Sequence, residues 1–198
     1  SKIFAHGFLT VNGEKMSKSS GTFITARSYI ECLKNPDYLR YYYFSKLNDS
    51  MEDIDLNLDD FIAKVNSDLV GKLVNIPSRT SGFISKFFNN MIMSSESFQS
   101  PEAKNLHSGI LKIKDEIMKL FDQRQFSKAS RLVISHIESV NEYVNSKEPW
   151  VLAKNESNHH GKSTLHEICS ASLHSFRLLS IYLSPVMPNL TGKVAEFF

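Results

Sequence analysis

A mainly α-helical chain in two unequal parts is predicted by three observations. Apolar residues follow a strand-like pattern only near the start, and from Thr25 they fall at three- and four-residue steps that continue to the end. The tight-turn dipeptide Asn12-Gly13 lies in the early part and runs at once into a lysine- and serine-rich stretch, "EKMSKSSG". An acidic stretch, "DSMEDIDLNLDDF" at 49–61, then separates a small mixed region from a purely helical one. The expected fold class is therefore mainly α: a short β-strand with its loop within residues 1–57, followed by an antiparallel α-helix bundle over 58–198.

Each element has its own signal. "HGFLTV" reads as a strand, because Phe8, Leu9 and Val11 lead into a dipeptide whose residues both tolerate positive φ. Thr25 to Leu33 is a short helix stopped before Asn35-Pro36, and Asp37 is placed to cap a second, "DYLRYYYFSKL". From Asp59 the residues Phe61, Val65, Leu69, Leu73, Ile76, Phe83 and Phe87 form one stripe of a long helix, which Pro77 should kink. "SSESFQSP" reads as a polar linker before a helix from about Glu102 to Phe121. Ser127 precedes another helix, with Ala129, Leu132, Val133, Ile137, Val140 and Val144 on its buried side and Pro149 ending it. A polar loop holding "NESNHHGKS" leads to a last helix at about 163–183, closed by Pro185 and Pro188.

Composition narrows the function classes. With 198 residues, 41% apolar and 22% charged, the chain reads as soluble and globular, with one or two domains. A net charge of +2 excludes the strong basic excess of a protein that coats nucleic acid, so any such contact is local. No apolar run approaches the ~20 residues of a bilayer span, and neither leader nor cleavage pattern precedes the first strand, so no membrane role and a cytoplasmic location are expected. The chain opens without Met on an apolar pattern already under way, as a piece of something longer would. Cys32 and Cys169 are far apart and read as reduced packing residues.

The run at 13–21 has two readings. A solvated hairpin loop is the ordinary one for lysine and serine between strands. The other is a loop whose ammonium groups and hydroxyls meet phosphate. "KMSKS" at 15–19 resembles, unbroken over all five positions, the signature loop of class I aminoacyl-tRNA synthetases. With the flanking "HGFLTVNGEKMSKSSGTFI", "YLRYYYFSKL", "DIDLNLDDF", "LVNIPSRTSGF" and "KEPWVLAK", nearly the whole chain is similar to the C-terminal half of the core of bacterial methionyl-tRNA synthetases. The resemblance implies the end of a catalytic domain with the KMSKS loop and a stem-contact region over 1–57, and an anticodon-binding helical bundle over 58–198.

It further implies a methionine–tRNA ligase, in which the carboxylate of methionine attacks the α-phosphate of ATP, held with Mg2+, and the product is passed to tRNA(Met). Charge gathers on the departing pyrophosphate, and a positioned ammonium stabilises it there. By the same resemblance Lys18 is the main catalytic residue and Lys15 the second, while Lys15, Met16, Ser17, Lys18 and Ser19 bind ATP and Gly13 and Gly21 let the loop move. A mobile clamp suits lysine, a compact charge on a flexible stem. The family's nucleotide-binding half, with its HIGH-type motif, is not found here. Any zinc, and any homodimer contact, would belong to regions outside this chain.

On the long helix Lys72, Asn75, Arg79, Gly82 and Lys86 step by three and four along one side. A solvated face is the ordinary reading. By resemblance Asn75 and Arg79 match positions that hydrogen-bond anticodon bases, and an amide and a guanidinium one turn apart suit that task. Trp150, the sole tryptophan, would by default pack in a core. In the family the Pro149-Trp150 pair directs an aromatic face onto an anticodon base. His159, His160 and His166 lack a nearby cysteine and read as loop and helix-start residues, with no metal expected. His6 lies on the strand that lines the family's active site, and Asp53, Asp55, Asp59 and Asp60 read as capping and boundary carboxylates. The alternative to a ligase segment is a stand-alone helical tRNA-binding or adaptor module without catalysis.

Two outcomes are expected. Residues 1–198 alone show no methionine-dependent ATP–pyrophosphate exchange above a heat-killed control. In the complete protein Lys18→Ala lowers that exchange by about 10²–10³, the scale for one donor removed from a developing charge, and exchange within about threefold of wild type would refute the clamp role.

Overall fold

The structure is a computed structural model that describes residues 3–17, 19, 22–154 and 159–198, with the side chains of 159 and 160 left out. A small sheet stands at the N-terminal end. Strand β1 (Leu9–Val11) turns through Asn12 and Gly13, at φ 49° and 78°, into β2 (Glu14–Lys15), with Val11 opposite Glu14. Two successive residues at positive φ make the turn whose twist suits adjacent strands. The other side of β1 carries β3 (Ile54–Leu56) in parallel, Leu9 opposite Ile54, giving the order β2-β1-β3. Gly7 allows this approach, since a Cβ there would sit 2.5 Å from the Glu52 carbonyl oxygen.

Helix α1 (Ala26–Leu33) starts on a reciprocal cap between Thr25 and Ser28 and stops at Lys34, which takes φ 53°. Helix α2 (Asp37–Lys46) starts after Asn35, whose Oδ1 accepts from the Asp37 N–H at 3.0 Å. Asp37 does not cap its own helix. Its buried carboxylate accepts from Leu190 N–H at 2.7 Å and from Asn189 Nδ2 at 3.2 Å, on the helix α10 (Pro188–Ala195), whose start has no side-chain cap of its own. Arg40, one turn on, donates to the carbonyls of Val186 and Pro185 at 2.7 and 2.8 Å. These four bonds bring the start of α10 and the turn before it onto α2.

The expected single long helix is three segments in line. α3 (Leu58–Lys64), capped by Asn57, widens into a π-helical segment (Val65–Leu73), and α4 (Asn75–Phe87) resumes the ordinary register. The irregularity thus precedes Pro77, which sits in the first turn of α4, directly after the π-helical segment. Residues 94–101 are not a free linker. A 3-10 turn (Ser95–Ser97) is followed by the fully buried Phe98, and the Glu167 carboxylate accepts from the N–H groups of Gln99 and Ser100 at 2.6 and 2.7 Å. The helix expected over 102–121 is broken at Ile113 into α5 (Pro101–Lys112) and α6 (Lys114–Asp122). α7 (Phe126–Lys147) ends at Glu148, φ 44°, and α8 (Pro149–Lys154) starts directly on the proline. α9 (His159–Leu183) begins earlier than the polar sequence suggests, so His159 and His160 lie on its first turn. Residues 155–158 of the expected loop lie outside the described residues.

α9 lies against α4, α5, α7 and α8 at the centre of the bundle. The main core draws Tyr41 and Phe44 from α2, Leu73 and Ile76 from the π–α4 junction, Val133 and Ile137 from α7, and Leu179 from α9. Packing is thus continuous past residue 57. Of the cysteines, Cys169 is fully buried in a satellite cluster, which pushes its thiol up to about 12, whereas Cys32 is exposed.

One buried carboxylate ties α2 to this bundle. Asp68 Oδ2 accepts from the Tyr41 hydroxyl at 2.7 Å and meets Lys64 Nζ at 2.9 Å, and Oδ1 meets Lys72 Nζ at 3.2 Å. Burial by itself raises this carboxyl, but the hydrogen bonds from Lys64 and Tyr41 outweigh it and hold it below its ordinary value. A depressed folded value stabilises the fold above the unfolded carboxyl's range, about 3.9, and that contribution fades as pH falls through the folded value. Asp68→Ala is expected to cost about 1–3 kcal/mol at neutral pH, chiefly by leaving the Tyr41 hydroxyl unpaired. Thermal unfolding should show the gap to wild type narrowing below about pH 4, and a gap independent of pH would contradict the assignment.

Candidate functional site

Two groups of side chains carry the residues singled out above. The first surrounds the lysine-rich run. Lys15 ends β2 and is exposed, while Met16 and Ser17 are half-buried. Met16 lines an apolar cavity of about 280 Å3 together with Tyr29, Leu39, Tyr43 and Phe61, and packs against the cluster of Val11, Tyr42, Leu56 and Phe61. The Thr22 hydroxyl closes the base of the run, accepting from Ser17 N–H at 3.0 Å and donating to the Lys15 carbonyl at 2.9 Å. Ser17 Oγ and Ser19 Oγ lie 2.8 Å apart, with Ser19 exposed. Lys18, with Ser20 and Gly21, lies outside the described residues.

The turn that presents this run is held from β3. Asp55 Oδ1 accepts from Thr10 Oγ1 at 2.7 Å and from Gly13 N–H at 2.8 Å, and Asn12 Oδ1 accepts from Leu58 N–H at 3.1 Å. Gly13, at φ 78°, thus holds the second position of a turn bonded to Asp55. Asp53 accepts from Phe8 N–H at 2.7 Å, and Asp60 takes the Tyr42 hydroxyl at 3.0 Å and Lys46 at 2.6 Å. The Lys46 contact, aided by Tyr42 and opposed by some burial, holds Asp60 below the ordinary carboxylate range. Asp53, Asp55 and Asp60 are thus bonded structural groups, more than boundary solvation. His6 sits at the rim of a polar cleft with Asn48, Glu52 and Asp53, its Nδ1 2.6 Å from the Gly7 carbonyl oxygen.

The second group lies where α4, α7 and α8 meet. Asn75 and Arg79, one turn apart on α4, face Asn141 and Asn145, one turn apart on α7. Asn75 Nδ2 donates to Asn141 Oδ1 at 3.1 Å, and Arg79 Nη2 to Asn145 Oδ1 at 2.6 Å. The Arg79 guanidinium also lies 4.8 Å from the Trp150 ring centroid, within range of a cation–π contact. Glu148 reverses the chain at positive φ and the buried Pro149 starts α8, so Trp150 is returned toward α4. The ring is half-buried, packed in part on the cluster of Phe98, Tyr143 and Ile168.

Asn75, Arg79, Pro149 and Trp150 thus stand together, although up to 75 positions separate them. Asn141 and Asn145 were missed by sequence reasoning; the spacing N-x-x-x-N just before "KEPW" was the available signal. Lys72, from the same stripe, is consumed by ion pairs with Asp68 and, at 2.7 Å, Glu138. Its pairing with Glu138, reinforced by Asp68, raises its pKa against the effect of burial. Lys86 lies 4.6 Å over the Phe87 ring. His166 is no loop residue: it stacks on Phe88 at 4.0 Å, and its Nε2 lies 2.8 Å from the Met91 carbonyl oxygen. Among the described residues no three His, Cys, Asp or Glu side chains are grouped to hold a metal ion, and no helix is long and apolar enough to cross a membrane.

Residues 1–81 match the family model for class I (M) tRNA synthetases. Over 98% of its length the chain is 50% identical to a methionine–tRNA ligase of Cupriavidus pinatubonensis, of which it covers 27%. Over 99% of its length it is 52% identical to one of Burkholderia vietnamiensis, of which it covers 26%. In fold it is similar to Mycobacterium tuberculosis methionyl-tRNA synthetase in complex with methionyl-adenylate, with a TM-score of 0.88 at 24% identity over 98% of this chain and 37% of that one. The chain therefore spans little more than a quarter of the length of these curated relatives.

Proposed function

For a chain homologous over nearly its whole length to one segment of the methionyl-tRNA synthetases, we propose that it serves as part of a cytoplasmic methionine–tRNA ligase. The complete protein activates methionine with ATP and Mg2+ and transfers it to tRNA(Met). Residues 1–57 contribute the signature loop and stem-contact region, and residues 58–198 read the anticodon. The observation that carries this reading is the meeting of Asn75 and Arg79 of α4 with Trp150 of α8, braced by Asn141 and Asn145 of α7, all three candidate side chains half-buried. Amide and guanidinium groups supply directed donors and acceptors for base edges, and an aromatic face replaces the stacking that a loop base loses when it is splayed out.

In the loop, Lys15 and Lys18 place ammonium charge where pyrophosphate departs, and the hydroxyls of Ser17 and Ser19 offer further hydrogen bonds to the phosphates. Met16, packed against the Val11–Tyr42–Leu56–Phe61 cluster, and Thr22, bridging Lys15 and Ser17, support this reading because they anchor the first half of the run to the domain. Lys15 then extends from a fixed point of backbone. That is what a clamp on a leaving group requires.

The test is Trp150→Ala in the complete protein. One lost aromatic–base stack costs about 1–3 kcal/mol, so aminoacylation of a CAU-anticodon tRNA should fall by roughly 5- to 150-fold, with the loss larger than any in ATP–pyrophosphate exchange. Trp150→Phe keeps an aromatic face and the packing on Phe98 and Tyr143, and should recover part of the loss. Aminoacylation unchanged in Trp150→Ala, or falling only in step with the melting temperature in both variants, would refute the stacking role.

A further inference from the structure

Pro77 has no N–H, and it stands where the π-helical segment gives way to α4. On one side of it Val74 N–H donates five residues back, to Leu69, at 2.9 Å; on the other Ser78 N–H donates four residues back, to Val74, at 3.2 Å. In either register the proline fails a carbonyl: that of Lys72 in the wide helix, or that of Leu73 in the ordinary one. Asn141 supplies a replacement from α7. Its Nδ2 donates to the Lys72 carbonyl at 3.0 Å and to the Ile137 carbonyl, one turn back on its own helix, at 3.0 Å.

This settles how the Asn141 amide must be turned. Both of its hydrogens face carbonyl oxygens, so rotating the amide would set oxygen against oxygen twice. Its Oδ1 therefore faces α4, and there it accepts from Asn75 Nδ2 at 3.1 Å. One amide hydrogen of Asn75 is thereby committed, which leaves the Asn75 side-chain oxygen and one N–H for a ligand.

We infer that Asn141 is a positioning residue for Asn75: the gap that Pro77 leaves in the helix fixes Asn141, and Asn141 fixes which atoms Asn75 presents. The inference rests on the proposed anticodon reading and deepens it, because the group that Asn75 receives is a base edge bringing an N–H donor to a fixed oxygen. Asn141 itself touches no base.

The experiment uses the complete protein and compares aminoacylation of a CAU-anticodon tRNA with tRNAs carrying one altered anticodon base, alongside thermal unfolding. Asn141→Ala should lower discrimination by about tenfold, the scale of one misdirected base contact. Added to Asn75→Ala it should lower discrimination no further. In a Pro77→Ala background the restored backbone N–H relieves the Lys72–Leu73 carbonyls, so the melting-temperature loss from Asn141→Ala should shrink while the loss of discrimination stays. Losses that multiply in the Asn75→Ala, Asn141→Ala double variant would make Asn141 an independent reader and overturn the inference. So would an Asn141→Ala protein with wild-type discrimination and only a lower melting temperature. A wild-type protein that does not distinguish the altered anticodons would overturn the anticodon reading as well, before any variant is made.

Discussion

The Asp68 carboxylate is the interaction on which the arrangement of this chain turns. It is almost completely buried, yet it holds a negative charge, because Tyr41 from α2, Lys64 from α3 and Lys72 from the π-helical segment all direct donors at it. A buried charge is tolerated only with such a complement, and each donor is fixed in turn by having to supply it. The hydroxyl of Tyr41 sets the rotation of α2, and Lys72 passes the network on to Glu138 of α7. Four helical segments, α2, α3, the π-helical segment and α7, are thereby indexed to one point in the core.

The same logic recurs at the ends of helices. α10 has no capping side chain of its own and takes Asp37 from α2, while the start of α5 takes Glu167 from α9. His166 and His174 fasten the carbonyls of Met91 and Met93 in the segment after α4. Each bond spans scores of residues and satisfies a backbone group that would otherwise be unpaired. Such partners make the bundle a single unit, which keeps the Asn75–Arg79 face of α4 in fixed relation to Trp150 on α8.

The π-helical segment shows how a local irregularity is put to use. Widening the helix over residues 65–73 turns Asn75 and Arg79 relative to the apolar stripe, and they meet α7 as two rungs one turn apart. A regular helix would carry the same residues with a different aim. π-Helical turns are uncommon and concentrate at functional sites, where an altered register redirects side chains.

Much of this was legible in the sequence, and the limit has a physical basis. The β1–β2 turn, the short helix after Thr25, the buried face of α7 and the stop before Pro149 each depend on residues within about a helical turn of one another, where local sterics and periodicity decide. The candidate residues Lys15, Asn75, Arg79, Pro149 and Trp150 were named from a family resemblance carried by short contiguous motifs, and periodicity alone would have left them a solvated loop, a solvated face and a core tryptophan. β3 was hidden although Ile54 and Leu56 alternate with Asp55, because a three-residue parallel strand has no stability apart from the β1 edge it joins. The π-helical register, the break at Ile113, the use of Asp37 by α10 and the rungs to Asn141 and Asn145 were likewise settled only in the tertiary structure. Each depends on where a distant backbone group was left without a partner, and that becomes defined only once the helices have packed.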